Sequence, residues 1–396
     1  MISAIQLPKL KAITVACFFI AFFAITSCGK KSGGGSSTNP PVVIPPQTPV
    51  WDANALRGVW VTNVASTVLD SRTNIKTCVD ACKANNINHI FMVVYNNART
   101  TYPSTVMQNI IGIPIQEKFA GRDPLKEMIE EAQAVGIKVH AWFEYGFSSS
   151  YSANGGSIVA AKPNWAAKDA GGNLTVKNGF DWLNAFHPEV QQYMIDLFKE
   201  VVTKYPTIDG VQGDDRLPAL PSSSGYDTYT VNLYKSENGG ADPPGNGLDI
   251  AWIDWRTKKL NLFMKRLRNE MKVLKPSLLV TMSPSPFPWG KTEYLQDWPT
   301  WVDSGWVDAV IPQCYRYDIA AYNATLAQQK SYHRNTSIPL YPGVLLRVGT
   351  YTATDGFLSQ MIQSNRSNGY KGEVFFFYEG LQQRTSWFTG QYPFIR

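Results

Sequence analysis

From residue 56 to residue 379 the chain alternates short, almost wholly apolar runs with longer stretches in which apolar residues recur every three or four positions. The first pattern belongs to strands buried on both faces, the second to amphipathic helices. Strands are predicted at Leu56–Asn63, Asn88–Tyr95, Lys138–Tyr145, Ile208–Asp215, Leu278–Ser283, Val307–Tyr315, Ile338–Leu346 and Glu373–Glu379. Helices are predicted near Thr73–Asn85, from Asp123-Pro124 to Val135-Gly136, over Pro188–Lys204 and over Ile250–Leu274. Asp123 at the cap, Pro124 in the first turn and Gly136 at the stop frame the second of these.

Eight strands alternating with helices predict an α/β fold, a (β/α)8 TIM barrel forming one domain over residues 51–396. The competing layout is a doubly wound open sheet, but no Gly-x-Gly-x-x-Gly follows an early strand. The longest connections follow strands two to five and are rich in Ser, Gly, Asn, Pro and Trp. The connections at the opposite end are short, as at Gly136-Ile137 and Lys275-Pro276. Long loops on one side only are what a substrate cleft needs.

The front of the chain has a different character. Lys9 and Lys11 precede an apolar run, Ala12–Ile25, that is too short to span a bilayer comfortably and suits a signal segment. It ends in Ile25-Thr26-Ser27-Cys28, which resembles a bacterial lipobox with Cys28 as the lipidated first residue. Residues 1–27 therefore read as a lipoprotein signal peptide. Residues 28–50, Gly/Ser-rich and then Pro-rich, read as a tether. The expected location is the bacterial cell envelope, on the outer membrane or a periplasm-facing membrane, held through an N-terminal lipid.

Composition narrows the partners. The formal charge is +6 without a basic run beyond Lys30-Lys31, so nucleic acid is not expected. Cys78, Cys82 and Cys314 are an odd set for an exported domain and do not form a disulfide framework. The four histidines lack metal-ligand spacing, and neither a metal nor another cofactor is called for. A monomer is expected. The 12 Trp, 19 Tyr and 19 Phe offer flat apolar faces for sugar rings.

In a barrel the carboxyl ends of the strands line the active mouth. The fourth strand ends in two adjacent acids, Asp214 and Asp215. Side chains alternate along a strand, so one of them looks into the mouth while the other braces it or reaches out. A helix or turn cap is the competing structural role for the second. Cleaving a glycosidic bond takes one acid to protonate the leaving oxygen and one carboxylate to act as nucleophile or base. Candidate catalytic residues are thus Asp215, Asp214, Glu379 and Glu144. Glu379 would face the pair across the ring, and Glu144 lies on the neighbouring strand. Candidate substrate contacts are Arg57, Asn63, Tyr95, Arg99, Trp142, Trp289, Gln313 and Tyr315. Tyr102, Trp182, His187 and Arg347 lie in the loops beyond.

The segments Leu56–Asn63, Asp123-Pro124-Leu125, Gly136–Trp142, Pro188-Glu189-Val190, Asp209–Asp215, Val307-Asp308, Gln313-Cys314-Tyr315 and Phe377-Tyr378-Glu379, in this order and spacing, resemble the glycosyl hydrolase-like 10 family. The resemblance runs from Trp51 to the C-terminus. It implies a barrel glycosidase of the bacterial envelope acting on cell-wall glycans such as peptidoglycan strands. Relatives end the third strand in Asn, whereas this chain has Glu144. The exchange either adds a carboxylate or replaces one hydrogen-bonding group by another. A chitinase-like barrel of glycoside hydrolase family 18 gives a second comparison. Asp209, Gly210 and Asp214 match its Asp-Gly-x-x-x-Asp-x-Glu, but Arg216 stands where its catalytic Glu would be. The substrate-assisted route stays open although its usual acid is missing there.

The expected function is a glycoside hydrolase cleaving an envelope or environmental polysaccharide through paired carboxylates. The alternatives are a non-catalytic glycan-binding lipoprotein on a degenerate barrel, and a lyase or other hydrolase using the same acids.

Overall fold

The computed structural model describes residues 55–382 and 384–392. The expected signal peptide, the Cys28 lipidation and the tether lie outside these residues. Eight parallel strands form the centre: β1 Arg57–Val61, β2 His89–Val93, β3 Lys138–Phe143, β4 Gly210–Gly213, β5 Leu279–Met282, β6 Ala309–Val310, β7 Gly343–Leu345 and β8 Glu373–Phe376. Each is followed by a helix: α1 Arg72–Ala84, α2 Pro124–Ala134, α3 Pro188–Lys204, α4 Ile250–Leu274, α5 Trp298–Asp303, α6 Ile319–Tyr332, α7 Asp355–Ser367 and α8 Thr385–Gln391. The hydrogen-bonded order is β6-β5-β4-β3-β2-β1-β8-β7. Two isolated parallel bridges, Val310 with Leu340 and Gln313 with Gly343, join the ends of this order. The fold is the predicted α/β barrel.

Strands six and seven are far shorter than their apolar runs. Pro312 interrupts one run, and Pro339 and Pro342 interrupt the other. A proline donates no ladder hydrogen bond, so the seam between these strands closes through single bridges. The helix starts follow their local chemistry. Ser71, Asp123 and Asp249 accept the amides of Asn74, Lys126 and Trp252, and Pro124 and Pro188 occupy first turns. No helix among the described residues is long and apolar enough to cross a membrane.

Inward side chains fill the barrel in layers. The lowest holds His89, Phe91 and His140, with His89 Nδ1 and His140 Nε2 2.8 Å apart. Gly210 faces this layer, and a Cβ there would lie 2.2 Å from His140 Nδ1, so only glycine fits. Above it Trp60 packs on Phe91 and Trp142, and its Nε1 donates to Gln212 Oε1 at 2.7 Å. The acids described below stand on this floor.

The lowest layer makes stability pH-dependent. Burial, with Lys138 and Arg57 adding to it, lowers the His89 pKa to about 3, and burial also holds His140 well below its ordinary value. An unfolded imidazole binds its proton near pH 6.5, so the unfolded chain takes up protons that the folded barrel refuses. Stability is full above that pH and falls as pH drops through the window toward the folded pKa. The expected loss is about 1.4 kcal/mol per pH unit per imidazole. Urea unfolding at pH 7, 6 and 5 measures it, and the slope should roughly halve in a His89→Asn variant if each imidazole contributes alike. An unchanged slope in that variant would place the dependence elsewhere.

Candidate active site

The registers of β3, β4 and β5 place the acids. Phe143 pairs with Gly213, and Gly213 with Met282, so Glu144, Asp214 and Ser283 come next on three neighbouring strands. Trp142 and Gln212 belong to the interior, so by alternation Glu144 and Asp214 point inward too. Asp215 leaves the sheet. A turn, closed by the Leu217 amide on the Asp214 carbonyl at 3.0 Å, brings Arg216 back over the acids.

Arg216 is the hub. Its Nη1 lies 2.9 Å from Asp215 Oδ1, and its Nη2 lies 3.5 Å from Asp214 Oδ2 and 3.8 Å from Glu144 Oε1. The Asp215 contact is an ion pair whose angle does not make it a hydrogen bond. Arg216 Nε donates to the Glu144 carbonyl at 3.1 Å, and the guanidinium stacks over Phe180 at 4.5 Å and Tyr145 at 5.5 Å. Asp214 Oδ1 accepts from Ser283 Oγ at 2.8 Å and from Gln313 Nε2 at 2.6 Å. Gln296 Nε2 donates to the Asp214 carbonyl at 3.1 Å. Asn96 Nδ2 donates to Glu144 Oε2. Side-chain exposure is 5% for Asp214, 17% for Glu144 and 25% for Asp215, so Asp215 is the most open of the three.

The electrostatics follow from this crowding. Burial first, then the Asp215 charge, pushes the Asp214 carboxyl well above its ordinary value. Burial also raises Asp215, against the pull of Arg216 and a hydrogen bond with Asp214. Glu144 is raised by burial, with Arg216 and Asn96 opposing. For Arg216 burial works against the charge, and the three carboxylates outweigh it, so its pKa lies above the usual arginine value.

An aromatic wall rises beside the cluster. Tyr294 feels the Asp215 charge, stacks near Trp182 and Trp289, and its hydroxyl accepts from Asn178 Nδ2 at 2.7 Å. Trp289 is 41% exposed at this rim. Across from it Tyr315 packs edge-on against Trp60 and beside Phe376, within reach of the Asp214 and Asp215 charges.

Of the expected residues, the structure brings together Asp214, Asp215, Glu144, Gln313 and Tyr315, with Trp142 in the floor and Trp289 on the rim. Others stand elsewhere. Arg57 is the first residue of β1, at the amino end of the ring, where its guanidinium donates to the Asn86 and Ala55 carbonyls. The expected substrate contact is corrected accordingly, because the apolar run places its first residue at the face opposite the mouth. Tyr95 is fully buried against Tyr193 of α3 and belongs to packing. Arg99 donates to Ser157 Oγ at 2.9 Å, in a hairpin outside the acid cluster. Glu379 lies in a short 3-10 turn after β8. Its Oε2 accepts from Gln382, and its charge bears on Cys78 and Tyr378. Among the described residues Glu379 makes no hydrogen bond or ion pair with the Asp pair it was expected to face, and its Oε1 is buried without a hydrogen-bond partner. Asn63 donates to Gln116 Oε1 at 2.8 Å beyond the end of β1. Tyr102, Trp182 and His187 are taken up by packing and capping. Asn96, Gln296, Tyr145 and Phe180 are not among the expected contacts; they lie beyond the ends of the barrel strands, in connections and short excursion strands where barrel alternation does not point to the mouth. Among the described residues no group of three or more His, Cys, Asp or Glu is arranged to hold a metal ion.

The chain resembles known proteins in sequence and in fold. In sequence, the chain is 26% identical to glycosyl hydrolase DigH of Escherichia coli K12, over 70% of this chain and 71% of that protein. It is 24% identical to glycosyl hydrolase YngK of Bacillus subtilis, over 74% of this chain and 59% of that protein. In structure, it resembles the PgaB glycoside hydrolase domain of Bordetella bronchiseptica with a TM-score of 0.60 at 14% identity, covering 83% of this chain and 96% of that domain. The catalytic domain of a Paenibacillus polymyxa β-amylase gives 0.61 at 10% identity, covering 85% and 97%. Those two likenesses establish the TIM-barrel fold. The family model described as glycosyl hydrolase-like 10 matches residues 55–358, and on that match, over an α/β barrel with acids at its carboxyl mouth, the chain belongs to the glycosyl hydrolase-like 10 family.

Proposed function

We propose that this protein is a glycoside hydrolase that cuts a polysaccharide of the cell envelope, such as the glycan strands of peptidoglycan, with Asp215 protonating the departing oxygen. One observation carries the reading: three carboxyls, one buried and two half-buried, crowd around a single guanidinium. Burial and mutual repulsion hold the three carboxyls above their ordinary values against the pull of one positive charge, which favours a retained proton in the cluster. A glycosidic oxygen leaves poorly until it is protonated, and a retained proton beside it is what general acid catalysis requires. Asp215 is the most open of the three and hydrogen-bonds Asp214, so it draws on a proton that the two share. Glu144 adds negative charge beside Arg216 and helps keep that proton in place. Tyr145, Phe180, Tyr294 and Trp289 offer apolar faces to the C–H faces of sugar rings.

The names of the two relatives support the activity, and the first fifty residues support the location. A lipid on Cys28 and the Gly/Ser/Pro-rich tether would hold a monomeric barrel near a membrane and within reach of wall glycans. The test is incubation with peptide-free peptidoglycan strands and a panel of bacterial and plant glycans, with products read by mass. Each cut is expected to add one water to the summed product mass. Products formed without water would point to elimination, and binding without products would leave a glycan-binding protein.

A further inference from the structure

We infer that the substrate carries a 2-acetamido group next to the bond that is cut, and that this group's own carbonyl oxygen, held over Asp214 and Tyr315, is the nucleophile. The inference rests on Asp215 being the proton donor.

A protein nucleophile or base must stand across the sugar ring, with carboxyl separations of about 5–5.5 Å in retaining and about 6.5–9.5 Å in inverting enzymes. Asp214 cannot stand there, because its carboxyl is hydrogen-bonded to Asp215. Glu144 lies on the same side. It shares Arg216 Nη2 with Asp214, at 3.8 and 3.5 Å, its other oxygen takes the Asn96 amide, and its strand adjoins that of Asp214. Glu379, after β8, gives one oxygen to Gln382 and makes no ion pair with Arg216. The carboxylates that bear most strongly on Asp214 are Asp215 and Glu144.

The floor has the groups that an acetamide needs. Asp214 Oδ1 is filled by Ser283 and Gln313, so its hydrogen bond with Asp215 falls to Oδ2, which otherwise has the long 3.5 Å contact to Arg216 and is released when Asp215 turns its proton to the leaving oxygen. That oxygen has room for one short donor, and an amide N–H is such a donor. Beside it, the Tyr315 phenol stays protonated, because burial and the two Asp charges push its pKa up, and so it can donate to a carbonyl. Tyr315 and Phe376, 5.2 Å apart and half-buried, present an apolar surface for an acetyl methyl. One layer down, Trp142 Nε1 is buried without an acceptor, a second open donor in the same floor.

The bonds balance. The acetamido oxygen bonds to C1 while the C1–leaving-oxygen bond breaks, and the departing oxygen keeps the electron pair and takes the Asp215 proton. Ionised Asp214 faces the positive charge that develops on the amide N–H. An N–H donated to Asp214 favours its ionised form and so moves the shared proton to Asp215, where the leaving oxygen needs it. Water then attacks C1 and gives a proton to Asp215, while the bond from C1 to the acetamido oxygen breaks and returns its electron pair to restore the acetamide.

The probes are peptide-free peptidoglycan strands, the same strands after chemical de-N-acetylation, and N-acetylglucosamine thiazoline. De-N-acetylation is expected to slow cleavage at least about 100-fold, and Asp214→Ala to slow cleavage of the acetylated strands by about 10² to 10³. The thiazoline should inhibit competitively, and its affinity, read by calorimetry, should fall in Asp214→Ala and in Tyr315→Phe. Equal cleavage of both strands without thiazoline inhibition would overturn the inference and leave the glycosidase reading standing. So would equally efficient cleavage of a glycan that has no acetamido group. If no glycan is cleaved at all, the glycosidase reading fails, and this inference fails with it.

Discussion

Replacing Asp215 by Asn is expected to lower kcat/KM on glycan strands about 10³-fold, and the loss should shrink to about tenfold on a 4-nitrophenyl glycoside of the same sugar. The split follows from the role. A sugar hydroxyl leaves only as it gains a proton, whereas nitrophenolate leaves without one. Asn keeps the size of Asp and loses the transferable proton. It also removes the charge beside Arg216 Nη1, now 2.9 Å away, and that charge lies at the open edge of the cluster, so thermal unfolding should move little. Asp214→Asn makes the contrast. It sits beneath, with Ser283 and Gln313 on one oxygen, and its loss should not depend on the leaving group. Measuring kcat/KM for both variants on both substrates decides the matter. If Asp215→Asn loses as much on the nitrophenyl glycoside as on strands, Asp215 is not the donor, and Glu144 becomes the candidate.

The sequence carried the barrel well because buried parallel strands are written as continuous apolar runs, and this chain has eight of them, each followed by a helix. Strand lengths at Val307–Tyr315 and Ile338–Leu346 were overestimated where prolines interrupt the ladder. The site was legible where a residue follows directly from a strand end, as for Glu144 and Asp214. It was not legible where the chain turns first. Glu379 leaves β8 through a 3-10 turn, and no alternation gives its direction. Arg57 is a strand residue, yet at the first position and therefore at the wrong face. Arg216 was visible as the residue in place of a chitinase-like Glu, but only the turn after Gly213 reveals that it folds back onto three carboxyls.

Arg216 is also where the pH behaviour of the site is set. On the proposed role of Asp215 the active form is the singly protonated pair of Asp214 and Asp215, and a bell-shaped kcat/KM profile should bracket it. The guanidinium favours the ionised form of every acid around it. Arg216→Met removes that charge while keeping an apolar stem against Phe180 and Tyr145. Both limbs of the bell should then move to higher pH, by about 1–3 units for loss of a close opposite charge. At the parent's optimum kcat/KM should fall by about 10² to 10³, as for removal of a preorganised electrostatic group. Arg216→Lys separates charge from shape. Lysine restores a positive charge but neither the hydrogen bond to the Glu144 carbonyl nor the fork that reaches two acids at once, so the limbs should return most of the way while the maximum stays low. A merely structural arginine would lower the rate of both variants and leave both limbs where they are. Profiles of the parent, Arg216→Met and Arg216→Lys on one glycan distinguish the two outcomes. A shift confined to the methionine variant would identify Arg216 as the residue that sets how tightly the Asp pair holds its proton.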